Sequence, residues 1–387
     1  MRIAIDTLFE RAMEPSSAVD YLVNLAEYLP RVGPQHTYFL LVGRRASERF
    51  KCLQRDNVSL VNCLVSNEHR ALRILIQQSV IPWHMKRLKL DVLFAPGNVC
   101  PLVGNFCRVL KINTMHHYHT PKMIGYLRSS YRTAAFSLSA KVADSIVANS
   151  SSTRDDICHF LRMDNKKVKM VWEAVDACFA PTPAEQINIV RQRYELHREY
   201  ILFSSSLWVY KNAETLIRAF AKIVNEKGLD FDLLLAGRSY DAAYDAKLRQ
   251  IAQQAGVADR VRFQGFIPNR DMPPLYSGAR VFVYPSLSET FGKPLVEAMR
   301  CGVPIVASNT SCIPEILGGA GLLVGPLDAD EMANAIYQAA VDESLRGELI
   351  ARGYERGNCF SWQVAAQQTL AEIEDTYIHW KEAQAHA

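Results

Sequence analysis

Short apolar runs and longer amphipathic stretches alternate along the whole chain. In the first half the runs Arg2–Asp6, Thr37–Val42, Val58–Val61, Val92–Ala95, Arg108–Asn113, Ser145–Ala148 and Lys167–Val171 read as strands. Val19–Tyr28 places Val19, Leu22, Val23, Leu25 and Ala26 on one helical face, and Tyr126–Ala140 is a second helical candidate. A new series starts with the strand Tyr200–Phe203. It continues as helix Ala213–Val224, strand Phe231–Ala236, helix Tyr244–Ala255 and strands Val261–Gln264 and Val281–Tyr284. Strands alternating with helices predict parallel sheets and an α/β class. The segment Asp176–Pro183 is proline-rich and lacks periodicity, so it is expected to link two domains, 1–180 and 181–361, ahead of a last helix from Trp362. Two such sheets are expected to face a central cleft, since ligands of open α/β sheets bind beyond the strand C-termini.

Composition narrows the class. At 387 residues, 49% apolar and 22% charged, the chain is an ordinary globular protein with room for two or three domains. No uncharged apolar run reaches membrane-span length, and the opening strand Arg2–Asp6 does not read as a signal peptide. Nine scattered cysteines without a CxxC pair read as reduced thiols of a cytoplasmic protein. Residues 1–180 hold 24 basic and 15 acidic side chains, and residues 181–387 hold 20 and 25. The basic half suits an anionic membrane surface or a phosphate-bearing acceptor. Without a dense basic run or a binding-module signature, nucleic acid is not an expected partner.

The most specific stretch follows strand Val281–Tyr284. It runs Pro285-Ser286, then Glu289-Thr290-Phe291-Gly292-Lys293-Pro294-Leu295-Val296-Glu297-Ala298-Met299, then the strand pattern Cys301–Ser308. Strand, loop, helix and strand follow in order, and the helix start directs free backbone N–H groups at an anion. A loop carboxylate, Glu289, suits sugar hydroxyls; a carboxylate on the first turns, Glu297, suits the two hydroxyls of a ribose.

This stretch resembles the E-x7-E signature of the retaining glycosyltransferases of family 4, which have the GT-B fold of two Rossmann-like domains. Gly302-Val303-Pro304, Pro314-Glu315 and Gly321–Pro326 resemble the motifs that follow it in that family. The resemblance is strong over residues 200–340 and weaker but collinear over 1–180. It implies that the last helix crosses back to the N-terminal domain. It implies a hexose donor with a UDP, GDP or ADP group, bound as substrate, with no cofactor and no metal. Glu289 then holds the donor sugar, Glu297 the ribose, and Phe291, Gly292 and Lys293 offer backbone donors. Lys211 matches the family's diphosphate lysine, whose point charge suits a leaving group gaining negative charge. It is expected to matter more for turnover than for folding. Ser206 stands where the family has an arginine, and Arg238 is the candidate replacement cation. His116 aligns with the family's histidine near the donor sugar. Gly265 and Phe266 match the segment whose backbone meets the nucleobase. Ser16 and Ser17 stand near the place of the family's Gly-Gly loop, where a Cβ restricts close approach.

Alternatives remain open at this stage. His116, His117 and His119 are alternatively a candidate zinc site, although no Cys, Asp or Glu ligand set stands at a suitable spacing nearby. Tyr126, Leu127, Tyr131 and Phe136 interleave with Lys122, Arg128 and Arg132, which suits either sheet packing or a membrane surface. The expected acceptor is a saccharide or lipid-linked saccharide in cell-surface polysaccharide or glycolipid synthesis. The expected location is cytoplasmic, peripheral on the inner face of the membrane. Ser206 also supports a catalytically weak paralogue acting as a binding subunit of a glycan-assembly complex. An NAD-dependent oxidoreductase lacks its G-x-G-x-x-G after either first strand.

Overall fold

The computed structural model describes residues 1–8, 17–43, 47–63, 70–119 and 125–386. It divides into two units, 1–173 with 361–387, and 174–360. Each is built on one parallel sheet. The first holds β1 (Arg2–Asp6), β2 (Thr37–Val42), β3 (Val58–Asn62), β4 (Val92–Ala95), β5 (Cys107–Ile112), β6 (Ser145–Ala148) and β7 (Val168–Met170), in the order β3-β2-β1-β4-β5-β6-β7. The second holds β8 (Glu199–Ser204), β9 (Phe231–Ala236), β10 (Val261–Gly265), β11 (Val281–Tyr284), β12 (Ile305–Ser308) and β13 (Leu322–Val324), in the order β10-β9-β8-β11-β12-β13. This is the doubly wound α/β architecture expected from the pattern, one sheet per unit.

The continuous apolar strands are buried on both faces, as parallel sheets require. In the second unit Ile201, Phe203, Leu233, Leu235, Val281, Val283 and Val306 share a core with Leu216, Phe220 and Ile223 of helix Ala213–Lys227. In the first, Leu93, Leu110 and Ile146 pack with Phe136 and Ala140 of helix Tyr126–Val142. The C-terminal helix Trp362–Ala385 belongs to the first unit, where Trp362 meets the ring of Tyr21 at 5.6 Å.

The boundary lies earlier than the proline-rich segment suggests. Phe179 is buried, and its ring meets Tyr276 at 6.1 Å, so 174–180 packs as part of the second unit. Cys301 ends a helix, Lys293–Cys301, and the following strand starts only at Ile305, because Gly302 takes φ 74° as the C-cap. Among the described residues, no helix is long and apolar enough to cross a membrane.

Candidate active site

In both sheets the strand order reverses once, between β1 and β4 and between β8 and β11. Such switch points are where open parallel sheets bind ligands. In the second unit, Lys211 follows β8 and Glu289 follows β11, so the two motif residues leave the two strands that flank the reversal. That adjacency brings together side chains 78 positions apart. The Lys211 ammonium is hydrogen-bonded to the Glu289 carboxylate and lies 3.4 Å from the Tyr284 hydroxyl. Lys211 and Glu289 are each only 9% exposed.

The supports are specific. Asn212 takes a left-handed conformation (φ 60°) that ends the turn Val209–Lys211 and opens helix Ala213–Lys227. Its side-chain amide donates to Pro285 O at 3.0 Å and to Pro326 O, which ties the Lys211 turn to the loops after β11 and β13. Leu287 N donates to Tyr210 O at 2.8 Å, and Glu289 N donates to Ser311 Oγ at 2.9 Å. Burial pushes the Glu289 carboxyl up; the Lys211 charge, with hydrogen bonds from Lys211, Ser286 and Tyr284, outweighs it and holds the group below its ordinary value. Burial and the Glu289 charge raise the Tyr284 hydroxyl well above the usual range, so it stays a neutral donor.

Glycine is required beside this pair. Gly292 has φ 80° as the N-cap of helix Lys293–Cys301, and a Cβ there would stand 3.1 Å from Leu295 Cδ1. Phe291 is buried against Phe360 at 5.7 Å, so its side chain serves the core. Glu297 lies on the second turn of that helix, half-buried, and accepts from Tyr276 Oη at 2.8 Å.

Two family models cover most of the chain: "Glycosyl transferases group 1" over residues 186–356 and "Glycosyltransferase Family 4" over residues 18–179. O-antigen chain mannosyltransferase B of Escherichia coli is 32% identical over 263 residues, 67% of each chain. The chain is a family 4 glycosyltransferase. It is also 31% identical over 231 residues to the serotype-specific mannosyltransferase WbdA of E. coli, covering 59% of this chain and 28% of that one. The fold is shared with HepE of Anabaena, crystallised with UDP and glucose (TM-score 0.74, 19% identity, 97% of this chain and 100% of that one). It is shared too with WaaG, a glycosyltransferase involved in lipopolysaccharide biosynthesis (TM-score 0.71, 14% identity, 96% and 99%). The GT-B fold implied by the motifs is therefore the fold of this glycosyltransferase.

The remaining candidates fall in three places. Ser206 and Arg238 lie side by side on loops beyond β8 and β9, joined by Leu207 N donating to Arg238 O at 2.9 Å. The Arg238 guanidinium stacks over the Phe266 ring at 4.7 Å, and both are exposed. Gly265 (φ 70°) accepts from Gly237 N at 2.8 Å, so these loops extend the sheet past its strands. Lys293 is half-exposed at the helix start.

His116 belongs to the first unit, where it opens a short helix after β5, and its backbone N donates to Thr114 Oγ1 at 3.3 Å. His117 points into the core against Phe136 at 4.8 Å; burial, then Arg132, pushes its pKa down to about 4. His119 instead pairs with Asp156 at 2.7 Å. The His117 and His119 rings thus have different surroundings. Among the described residues no three His, Cys, Asp or Glu side chains gather as a metal site. Ser16 and Lys122 lie outside the described residues; Ser17 opens helix Ser17–Val32, and the side chains of Ser17 and Arg128 are likewise outside them. Tyr126 and Tyr131 are exposed while Phe136 is core, so the aromatic run is only in part a packing element. Tyr284, Tyr276 and Ser311 were not legible as site residues. Tyr284 stands at a strand end and Tyr276 on a short helix, while Ser311 is a non-glycine at φ 48°, a feature that the sequence does not display.

Proposed function

We propose that this glycosyltransferase moves a hexose, with mannose the first candidate, from a nucleoside diphosphate sugar to a hydroxyl of a saccharide or lipid-linked saccharide. The transfer retains anomeric configuration and serves polysaccharide assembly. The observation that carries this reading is the buried Lys211–Glu289–Tyr284 cluster at the switch point, one helix start away from Glu297. Mannose is supported by the relatives named mannosyltransferases.

The cluster is balanced without ligand: one ammonium, one carboxylate, one neutral phenol. An incoming diphosphate competes for Lys211, whose three N–H donors reach in several directions. Backbone N–H groups at the Gly292 helix start complement it. Glu289, relieved of part of its partner, accepts hydroxyls of the donor sugar. Glu297, oriented by Tyr276, accepts the ribose hydroxyls. The bond between the anomeric carbon and the phosphate oxygen breaks, the acceptor oxygen forms the new bond on the same face, and its proton passes to the leaving diphosphate. Lys211 stabilises the charge that grows on that group, which is where electrostatic help lowers a barrier. No metal is assigned a role.

Donor binding is tested by thermal shift with UDP, GDP, ADP and their hexoses, because a ligand of the native state alone raises Tm. A shift with at least one nucleoside diphosphate, lost in Glu297→Ala, is expected. A chain indifferent to every nucleotide contradicts the reading.

A further inference from the structure

The first unit carries a cavity of about 410 Å³ between the starts of β6 and β7 and the C-terminal helix. That volume lies in the range of small-molecule sites, roughly 300–1,000 Å³. It opens at the strand N-termini, whereas His116 follows the C-terminal end of β5 in the same parallel sheet. At about 3.3 Å per residue, the length of β5 separates these two edges by roughly 20 Å. The groove is therefore remote from the sheet edge where the family resemblance places the reacting groups.

Its lining is mixed in charge and partly fixed in place. Lys166, Lys167 and Lys169 face Asp144, Glu372 and Asp375, with Trp380 beside them. Asp144 accepts from Arg108 N at 2.7 Å, Lys167 Nζ donates to Lys141 O at 3.1 Å, and Glu372 accepts from Ser145 and Thr376. Trp380 stacks on Tyr377 with rings 16° apart, and the Tyr377 hydroxyl donates to Asp91 at 3.1 Å. The indole thus lies 6.2 Å, centroid to centroid, from a tyrosine ring that is itself anchored. Lys166, Lys169 and Asp375 have no side-chain hydrogen bond or ion pair among the described residues.

We propose that this groove binds a neutral oligosaccharide, a segment of the acceptor distant from its reacting end; the choice of saccharide rests on the acceptor reading above. Each sugar hydroxyl donates one hydrogen bond and accepts two, which matches interleaved ammoniums and carboxylates. The apolar face of a sugar ring fits an indole that is apolar on its face and polar at its tip. A phosphate or nucleotide meets as many carboxylates as ammoniums and gains little. An acceptor long enough to span both edges engages the protein twice, and the second contact raises its effective concentration at the first. A short acceptor engages only the reacting edge. The groove then makes the enzyme hold longer chains and prefer them.

The test is calorimetric titration of the full chain, without donor, with manno-, gluco- and galacto-oligosaccharides of five residues, and with inorganic phosphate. The variants are Trp380→Ala and, independently, the surface pair Lys169→Ala/Asp375→Ala. At least one oligosaccharide is expected to bind and to lose tenfold or more in affinity in both variants, with nucleoside diphosphate binding unchanged. In transfer assays the same variants should raise KM about tenfold for a ten-residue acceptor and leave a two-residue acceptor unaffected. Because the titration needs no donor, it stands even where transfer fails. Oligosaccharide binding equal in wild type and both variants, no binding by any of the three series, or binding of phosphate alone overturns the proposal.

Discussion

Replacing Lys211 by Met leaves the Glu289 carboxylate buried without its counter-charge. Removing one partner of a buried pair costs about 3–5 kcal/mol. With the Lys211 and Glu289 side chains 11% and 9% exposed, solvent screening offers little relief. At roughly 2–4 °C per kcal/mol for a unit of this size, Tm should fall by about 10 °C at pH 7. The pH dependence gives the sign. In the wild type the Glu289 pKa is depressed, so its stabilisation is present above the unfolded value and is lost as pH falls below about 4.5. In Lys211→Met, burial is opposed only by the hydrogen bonds from Ser286 and Tyr284, and that pKa rises. The deficit of the variant should therefore shrink as pH falls from 7 toward 4.5 and Glu289 takes up a proton. The double variant Lys211→Met/Glu289→Gln should recover most of the loss at pH 7. Scanning calorimetry at several pH values reads all three. A Lys211→Met deficit below 1 kcal/mol at pH 7, or one that grows on acidification, refutes the buried-pair argument. The sequence-based expectation weighs Lys211 more for turnover than for folding; its burial against Glu289 gives it a part in folding as well.

Other outcomes follow from the same geometry. Glu297→Ala should weaken nucleoside diphosphate binding by about 1.5–3 kcal/mol, and Tyr276→Phe by about 1, measured by titration calorimetry. Gly292→Ala should lower unfolding free energy by about 1–2 kcal/mol in chemical denaturation, because φ 80° is left-handed and Leu295 crowds the new Cβ. His117, held to about pKa 4, binds its proton later than in the unfolded chain, so the stability of the first unit should fall by roughly 3 kcal/mol as pH drops from 6.5 to 4. His117→Phe should flatten that slope in pH-dependent melts. Turnover should survive EDTA, and a loss restored by zinc would return the three histidines to consideration as a metal site. Vesicle co-sedimentation with anionic lipid should weaken with salt and in the Lys122, Arg128, Arg132 triple neutralisation, since exposed charges are screened over about 8 Å at physiological salt.

Much of the scaffold was legible because parallel strands are near-continuous apolar runs. β1, β2, β4, β6, β9 and β11 have the boundaries that pattern reading assigns. Helices were harder. Arg70–Arg87 carries Pro82 inside it, and Glu343–Gly357 carries Gly347, Gly353 and Gly357, all poor helix signals. Two of those glycines have a tertiary reason: Gly353 and Gly357 let the helix lie against Met299 and Arg300. At the site, motif spacing exposed Glu289, Glu297 and Lys211 separately. The pairing of Lys211 with Glu289 depends on β8 lying next to β11, which local sequence does not encode. Tyr284 reads as an ordinary strand residue until its hydroxyl is placed between the two charges.

The most direct measurement is the configuration of the product, read by proton NMR after transfer from an α-linked nucleoside diphosphate hexose to an oligosaccharide. The account predicts an α-glycosidic bond with wild-type protein and at least about a 100-fold slower reaction with Glu289→Gln, which keeps its nucleoside diphosphate thermal shift. A β-linked product, or Glu289→Gln turning over at the wild-type rate, contradicts it.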